Sequence, residues 1–151
     1  MRTEDGGLRR LLVTLSPPSS VLSTGMRYLT PIDLIAIHEL LMAEFGGMRG
    51  ITEVGFGRLE AAVAAPQASM FGEDLYAGVV SKAAALCQAI VRAHPFSDGN
   101  KRVALVALDL FLEANGSALT ATNDQAYATI MALARGEMAH AVLAAWVEQY
   151  I

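Results

Sequence analysis

The stretch Leu86–Leu108, LCQAIVRAHPFSDGNKRVALVAL, decides the fold. To its left, apolar residues recur at spacings of three and four through Leu75, Val79, Ala83, Leu86 and Ile90. This spacing predicts a helix from Asp74 to about Ala93. Pro95 ends it, because the residue before a proline is pushed out of the α region. To the right, NKRVALVALDLFLEANG predicts a second helix that begins near Gly99 and stops at Asn115-Gly116. That helix is apolar nearly all round, so it belongs at the centre of a bundle.

Working outward, Thr30 is placed to cap a helix, with Pro31 at its first position and Asp33 where a capping-box carboxylate belongs. This helix is expected to run to Phe45 and stop at Gly46-Gly47. Next, GMRGITEVGFG carries Gly47, Gly50, Gly55 and Gly57, a density unsuited to a helix interior and suited to a flap or short hairpin. A short helix follows from about Arg58 to Ala65, ended by Pro66, and QASMFGED reads as a connection. Thr122 or Asn123 caps a helix ending near Gly136, and Glu137 opens the last one, through Trp146. The expectation is an all-α bundle with a short flap or β-hairpin before the central helices. Residues 1–25 show no sustained period and read as a disordered or non-native extension; 26–151 form the domain, and Met26 could be its true start.

Composition narrows the function. The chain is 54% hydrophobic but only 7% aromatic, so Ala, Leu and Val supply its apolarity. No run approaches the roughly 20 apolar residues of a membrane span. AAALCQAIV lies between Lys82 and Arg92, and VALVAL between Arg102 and Asp109. A net charge of −4, with 11 scattered basic residues, argues against direct nucleic-acid binding, which relies on cations against phosphate. The lone Cys87 offers neither a disulfide nor a thiolate metal site. LLVTL is too short for a signal-peptide core, and Glu4 and Asp5 spoil the basic end. A cytoplasmic protein is expected.

The polar chemistry gathers in His94–Arg102, HPFSDGNKR. A helix that begins at Gly99 presents unpaired backbone N–H groups and the positive end of its dipole, which together suit an anion. Lys101 and Arg102 oppose that dipole unless a phosphate joins them. Asp98 then suits Mg²⁺, which binds through one or two carboxylates plus substrate phosphates. His94 suits a general base, since the free imidazole is the side chain that changes charge near neutral pH. Other readings stay open: a plain polar turn with Asp98 as its cap, or zinc held by His94 and Asp98, against which Pro95 breaks the alignment. Phe96 reads as a core plug. His38 and His140 fall inside helices and read as ordinary half-buried residues.

HPFSDGNKR also resembles the Fic motif, HPFx(D/E)GN(G/K)R, at every defined position. Its lysine is that of the death-on-curing (Doc) branch, toxins of toxin–antitoxin pairs. The resemblance runs from about Met26 to the end, through RYLTPIDLIAIHELL, LEAAVAAPQASMFGEDLY and RVALVALDLFLEANG. It implies a Fic fold and nucleotide-dependent transfer onto a Ser or Thr hydroxyl of a protein. His94 would deprotonate that hydroxyl, and Phe96 would anchor the loop. Asp98 would hold Mg²⁺, while Gly99, Asn100 and Lys101 cradle phosphate and Arg102 stabilises the charge that shifts during transfer. The segment Gly50, Ile51, Thr52, Glu53, Val54 and Gly55 would clamp the target by strand-like pairing.

Lys101 selects the reaction within this resemblance. Glycine at that position goes with AMP transfer; the Doc lysine fills the room for the α- and β-phosphates and goes with a reversed nucleotide. The γ-phosphate of ATP then meets the hydroxyl, which makes the enzyme a protein Ser/Thr kinase that arrests translation at a factor of the elongation factor Tu class. Adenylyl transfer is the alternative, and an anion-binding module without catalysis is a third reading. Pro95 and Gly99 are those of ordinary Fic proteins. The inhibitory (S/T)xxxE(G/N) helix of many Fic enzymes finds only SMFGED, Ser69–Asp74, with Asp in the last place. Inhibition in trans by a small antitoxin, folded onto an apolar groove, is therefore expected.

Overall fold

A computed structural model describes residues 25–151; residues 1–24, most of the stretch read as an extension, lie outside them. Thr30 caps the first helix as expected. Its side chain accepts from Asp33 N at 3.2 Å, and the Asp33 carboxylate accepts from Thr30 N at 2.8 Å. This helix, α1, spans Pro31–Phe45 and buries Leu34, Ile37, His38, Leu41 and Met42 along one stripe. It is followed by α2 (Gly55–Ala64), a 3-10 turn (Ala65–Gln67), β1 (Ser69–Met70) and β2 (Glu73–Asp74). Then come α3 (Gly78–Ala93), α4 (Asn100–Ala114), α5 (Asn123–Ala134) and α6 (His140–Gln149).

The central pair is α3 and α4, which pack most extensively on one another. α4 buries Val103, Ala104, Ala107, Leu108, Leu110, Phe111 and Leu112, as its all-round apolarity implied. α2 and α6 lie against α3, α1 lies against α4, and α5 touches both. Thr122 caps α5 through a capping box with Gln125. Cys87 is buried, and burial pushes its thiol up to about 12, so it packs as a neutral apolar group. Among the described residues, no helix is long and apolar enough to cross a membrane.

Three expectations are corrected. Leu75 is not on the α3 face: it precedes the helix and is exposed, because Gly78, at φ +84, delays the start. Gly55 and Gly57 are not flap residues but lie in the first turn of α2. A Cβ on Gly55 would collide with the carbonyl oxygen of Pro95, so close packing outweighs the low helix propensity of glycine. The β-hairpin falls not in the flap but in Ser69–Asp74, the stretch read as a connection.

Lys82, which the sequence places at the edge of an apolar run, is buried at 2% exposure. Its ammonium donates to the Pro66 carbonyl at 2.9 Å, pairs with Asp74 at 3.3 Å and lies 5.6 Å from the Tyr28 ring centroid. These partners offset the cost of burying a cation. They also tie the hairpin and the 3-10 turn to α3.

Candidate functional site

The link between α3 and α4 is closed by one amide. Asn100, the first residue of α4, is buried; its Oδ1 accepts from Phe96 N at 3.0 Å and its Nδ2 donates to Phe96 O at 2.9 Å. Those two bonds settle which way the amide faces. Its remaining hydrogen then points to His94 Nδ1, 3.2 Å away, so a neutral His94 carries its own hydrogen on Nε2. His94 caps α3 in the left-handed region at φ 50, with its N–H on Ile90 O. The Phe96 side chain is fully buried, the plug that its place in the motif suggested.

Asp98 is exposed and held by two backbone donors, Gly99 N on Oδ1 at 2.8 Å and Met48 N on Oδ2 at 3.1 Å. The Met48 N–H, then the Gly99 N–H, hold its carboxyl below the usual carboxylate range; Arg102 and His38 add smaller effects in the same direction. Gly99 caps α4 at φ +79, where a Cβ would lie 2.7 Å from Met42 Cε. A Cβ on Gly47 would lie 2.8 Å from both Asp98 Oδ2 and Met42 Sδ. The end of α1 therefore fits around Asp98 only because two glycines leave the room.

The flap is paired to this link. Thr52 N donates to Pro95 O at 3.0 Å and Ser97 N donates to Gly50 O at 3.2 Å, which makes an antiparallel bridge between Ile51 and Phe96. Glu53 and Val54 turn outward from it and are exposed. Arg58 on α2 reaches the His94 carbonyl at 3.4 Å.

His94, Asp98, Gly99, Asn100, Lys101 and Arg102 line one cleft of about 1060 Å³, which continues along α4 between α1 and α5. Lys101 and Arg102 stand in the first turn of α4, where no acidic residue is present. The Arg102 guanidinium lies 4.7 Å from the Phe45 ring centroid. The cleft thus gathers every motif residue singled out in the sequence except Phe96, which is buried beneath the link. Ile51 borders the motif through the backbone bridge and Thr52 through its N–H and its hydroxyl, which donates to Pro95 O at 3.3 Å; neither lines the cleft.

The sequence reading missed several contributors. His38 was read as an ordinary half-buried residue, but it is 2% exposed, stacks on Phe96 at 4.0 Å and 3°, and donates from Nε2 to Asp98 O at 2.9 Å. Its signal was a lone histidine inside the apolar stripe Leu34–Met42. Phe45, Met48 and Arg58 gave no local signal, since their contacts come from elements distant in the chain.

The sequence model of the Fic/DOC family matches residues 28–112, over half of the chain. The chain belongs to the Fic/DOC family. One curated relative is Toxin Doc of Mycolicibacterium smegmatis, 46% identical over 80 residues, 53% of this chain and 60% of that protein. Another is Protein kinase doc of Escherichia phage P1, 36% identical over 91 residues, 60% of this chain and 70% of that protein. The match therefore spans less than two thirds of the first relative's length and slightly more of the second's. The Fic/DOC match includes the whole of His94–Arg102 and most of α4.

Proposed function

We propose that the chain is the toxin of a toxin–antitoxin pair and transfers the γ-phosphate of ATP to a Ser or Thr hydroxyl of a translation elongation factor in the cytoplasm. One observation carries this reading: an imidazole, a carboxylate and the N-terminus of α4 line the same cleft, with Lys101 in the first helical turn. Phosphoryl transfer depends mainly on positioning and on charge stabilisation. The α4 N-terminus, Lys101 and Arg102 supply positive charge, and the unpaired N–H groups of the first turn of α4 suit a phosphate.

Mg²⁺ fits Asp98, whose ionised carboxylate is exposed to the cleft and held by backbone donors alone. Mg²⁺ needs only one or two carboxylates when substrate phosphates complete its shell, so Asp98 alone would suffice. When bound, the ion neutralises charge on the phosphates. Arg102 stacks on Phe45 and would turn from that ring to meet the same charge. His94 would take the hydroxyl proton. As the ring stands, its lone pair on Nδ1 faces Asn100, so the exposed imidazole must turn out of that contact when a target binds.

For the target, the backbone of Ile51 supports the clamping role: its bridge to Phe96 leaves its own N–H and C=O directed to the opposite edge. For the antitoxin, the continuation of the cleft past Leu105, Val106, Leu119 and Tyr127 supplies an apolar groove. Inhibition from within is disfavoured, since Ser69–Asp74 is a hairpin and Asp74 engages Lys82.

Incubation of the protein with an elongation factor and ATP labelled at either the γ- or the α-phosphate tests the reaction. Label from the γ-position on the target is the expected result. Label from the α-position would replace the kinase by an adenylyltransferase on the same site, and no label from either would leave an anion-binding module.

A further inference from the structure

One helix outside the motif, α1, reaches the backbone of Asp98, the residue proposed to hold the metal. We infer that His38 is a positioning residue for Asp98, acting through the peptide bond between Asp98 and Gly99. The inference rests on the proposed nucleotide site and adds to it a residue of α1, sixty positions away in the chain.

The chain of contacts is short. His38 Nε2 donates to the Asp98 carbonyl at 2.9 Å. A trans peptide is planar, so fixing that carbonyl also fixes the N–H of Gly99 on its opposite side. That N–H donates to Asp98 Oδ1 at 2.8 Å, and Met48 N, just beyond α1, takes Oδ2 at 3.1 Å. Both carboxylate oxygens are therefore oriented by peptide groups, one of which His38 anchors. The imidazole cannot drift, because it is 2% exposed and lies flat on the buried Phe96 ring.

This arrangement differs from a histidine that merely fills the core. An aromatic ring without a donor could stack on Phe96 equally well, but it would leave the Asp98 carbonyl without its partner and the peptide free to turn. The loss would then fall on metal binding in particular. Partners that orient a metal ligand typically account for about tenfold or more in metal affinity.

Isothermal titration calorimetry with ADP, in excess Mg²⁺ and separately in EDTA, reads this effect, with thermal unfolding measured alongside. His38→Phe is expected to lose about tenfold of the affinity gained from Mg²⁺ while its EDTA affinity stays at the parent's. His38→Gln, which keeps a donor, is expected to recover most of that gain. In metal-free protein the amide proton shifts of Met48 and Gly99 are expected to move in His38→Phe and stay close to the parent's in His38→Gln. Should His38→Phe not fold, His38→Met takes its place in the same comparison. A folded donor-free variant with the full Mg²⁺ gain and unmoved amide shifts overturns the inference, as does equal weakening with and without Mg²⁺. A parent protein that gains nothing from Mg²⁺ overturns the metal site itself, and this inference with it.

Discussion

Among the described residues, only two non-glycine residues adopt a positive φ: His94, at 50°, and Phe71, at 53°. Both sit in turns that precede a helix of the bundle, and there the likeness ends. The turn at His94 is held from α1 by His38, from the loop just after it by Met48, from the flap by Gly50 and Thr52, and from α4 by Asn100. The turn at Phe71 joins two strands of two residues each, and the Phe71 side chain is 99% exposed. Backbone strain alone therefore does not mark a site in this protein. What distinguishes the first turn is that several distant elements converge on it.

The largest expected effect tests whether that convergence serves chemistry. His94→Ala should lower target labelling by about 100-fold or more, the contribution of a positioned general base, with little change in the unfolding midpoint. A comparable loss from Phe71→Ala would erase the contrast. Next comes packing. Phe96→Ala should destabilise the fold by about 3–5 kcal/mol in chemical denaturation, since it empties a fully buried site beneath the motif.

A glycine pair sharpens the comparison further. Gly99 and Gly72 have nearly the same φ, +79 and +81, but a Cβ meets Met42 at the first and open space at the second. Gly72→Ala should cost about 1–2 kcal/mol, the penalty of a left-handed alanine. Gly99→Ala should cost more in the same denaturation experiment and should also weaken nucleotide binding. The smallest effect is a gain: Phe71→Asn places a favoured residue in a turn whose two central residues both have positive φ. It should stabilise by about 1 kcal/mol at most, a share of the left-handed penalty that Asn relieves, and leave target labelling unchanged.

Much of the fold is legible along the chain because its signals are local. Thr30 with Asp33, Thr122 with Gln125, and Asn115 with Gly116 mark helix ends through contacts spanning a few residues. The motif residues were legible for the same reason, since six residues around one helix start share a cleft almost by construction. Gly55 misled because its reason lies across space, at Pro95. The burial of Lys82 has no local signal, because its three partners come from separate parts of the chain.

From residue order alone, then, come the helices, their caps, the break at Pro95 and the cationic start of α4. These depend on backbone preferences and on neighbours within a turn. The orientation of Asp98, the resting contact of His94 with Asn100 and the anchoring by His38 required the packed molecule. They depend on hydrogen bonds whose angles are set only when α1, the flap and α4 are brought together around Phe96.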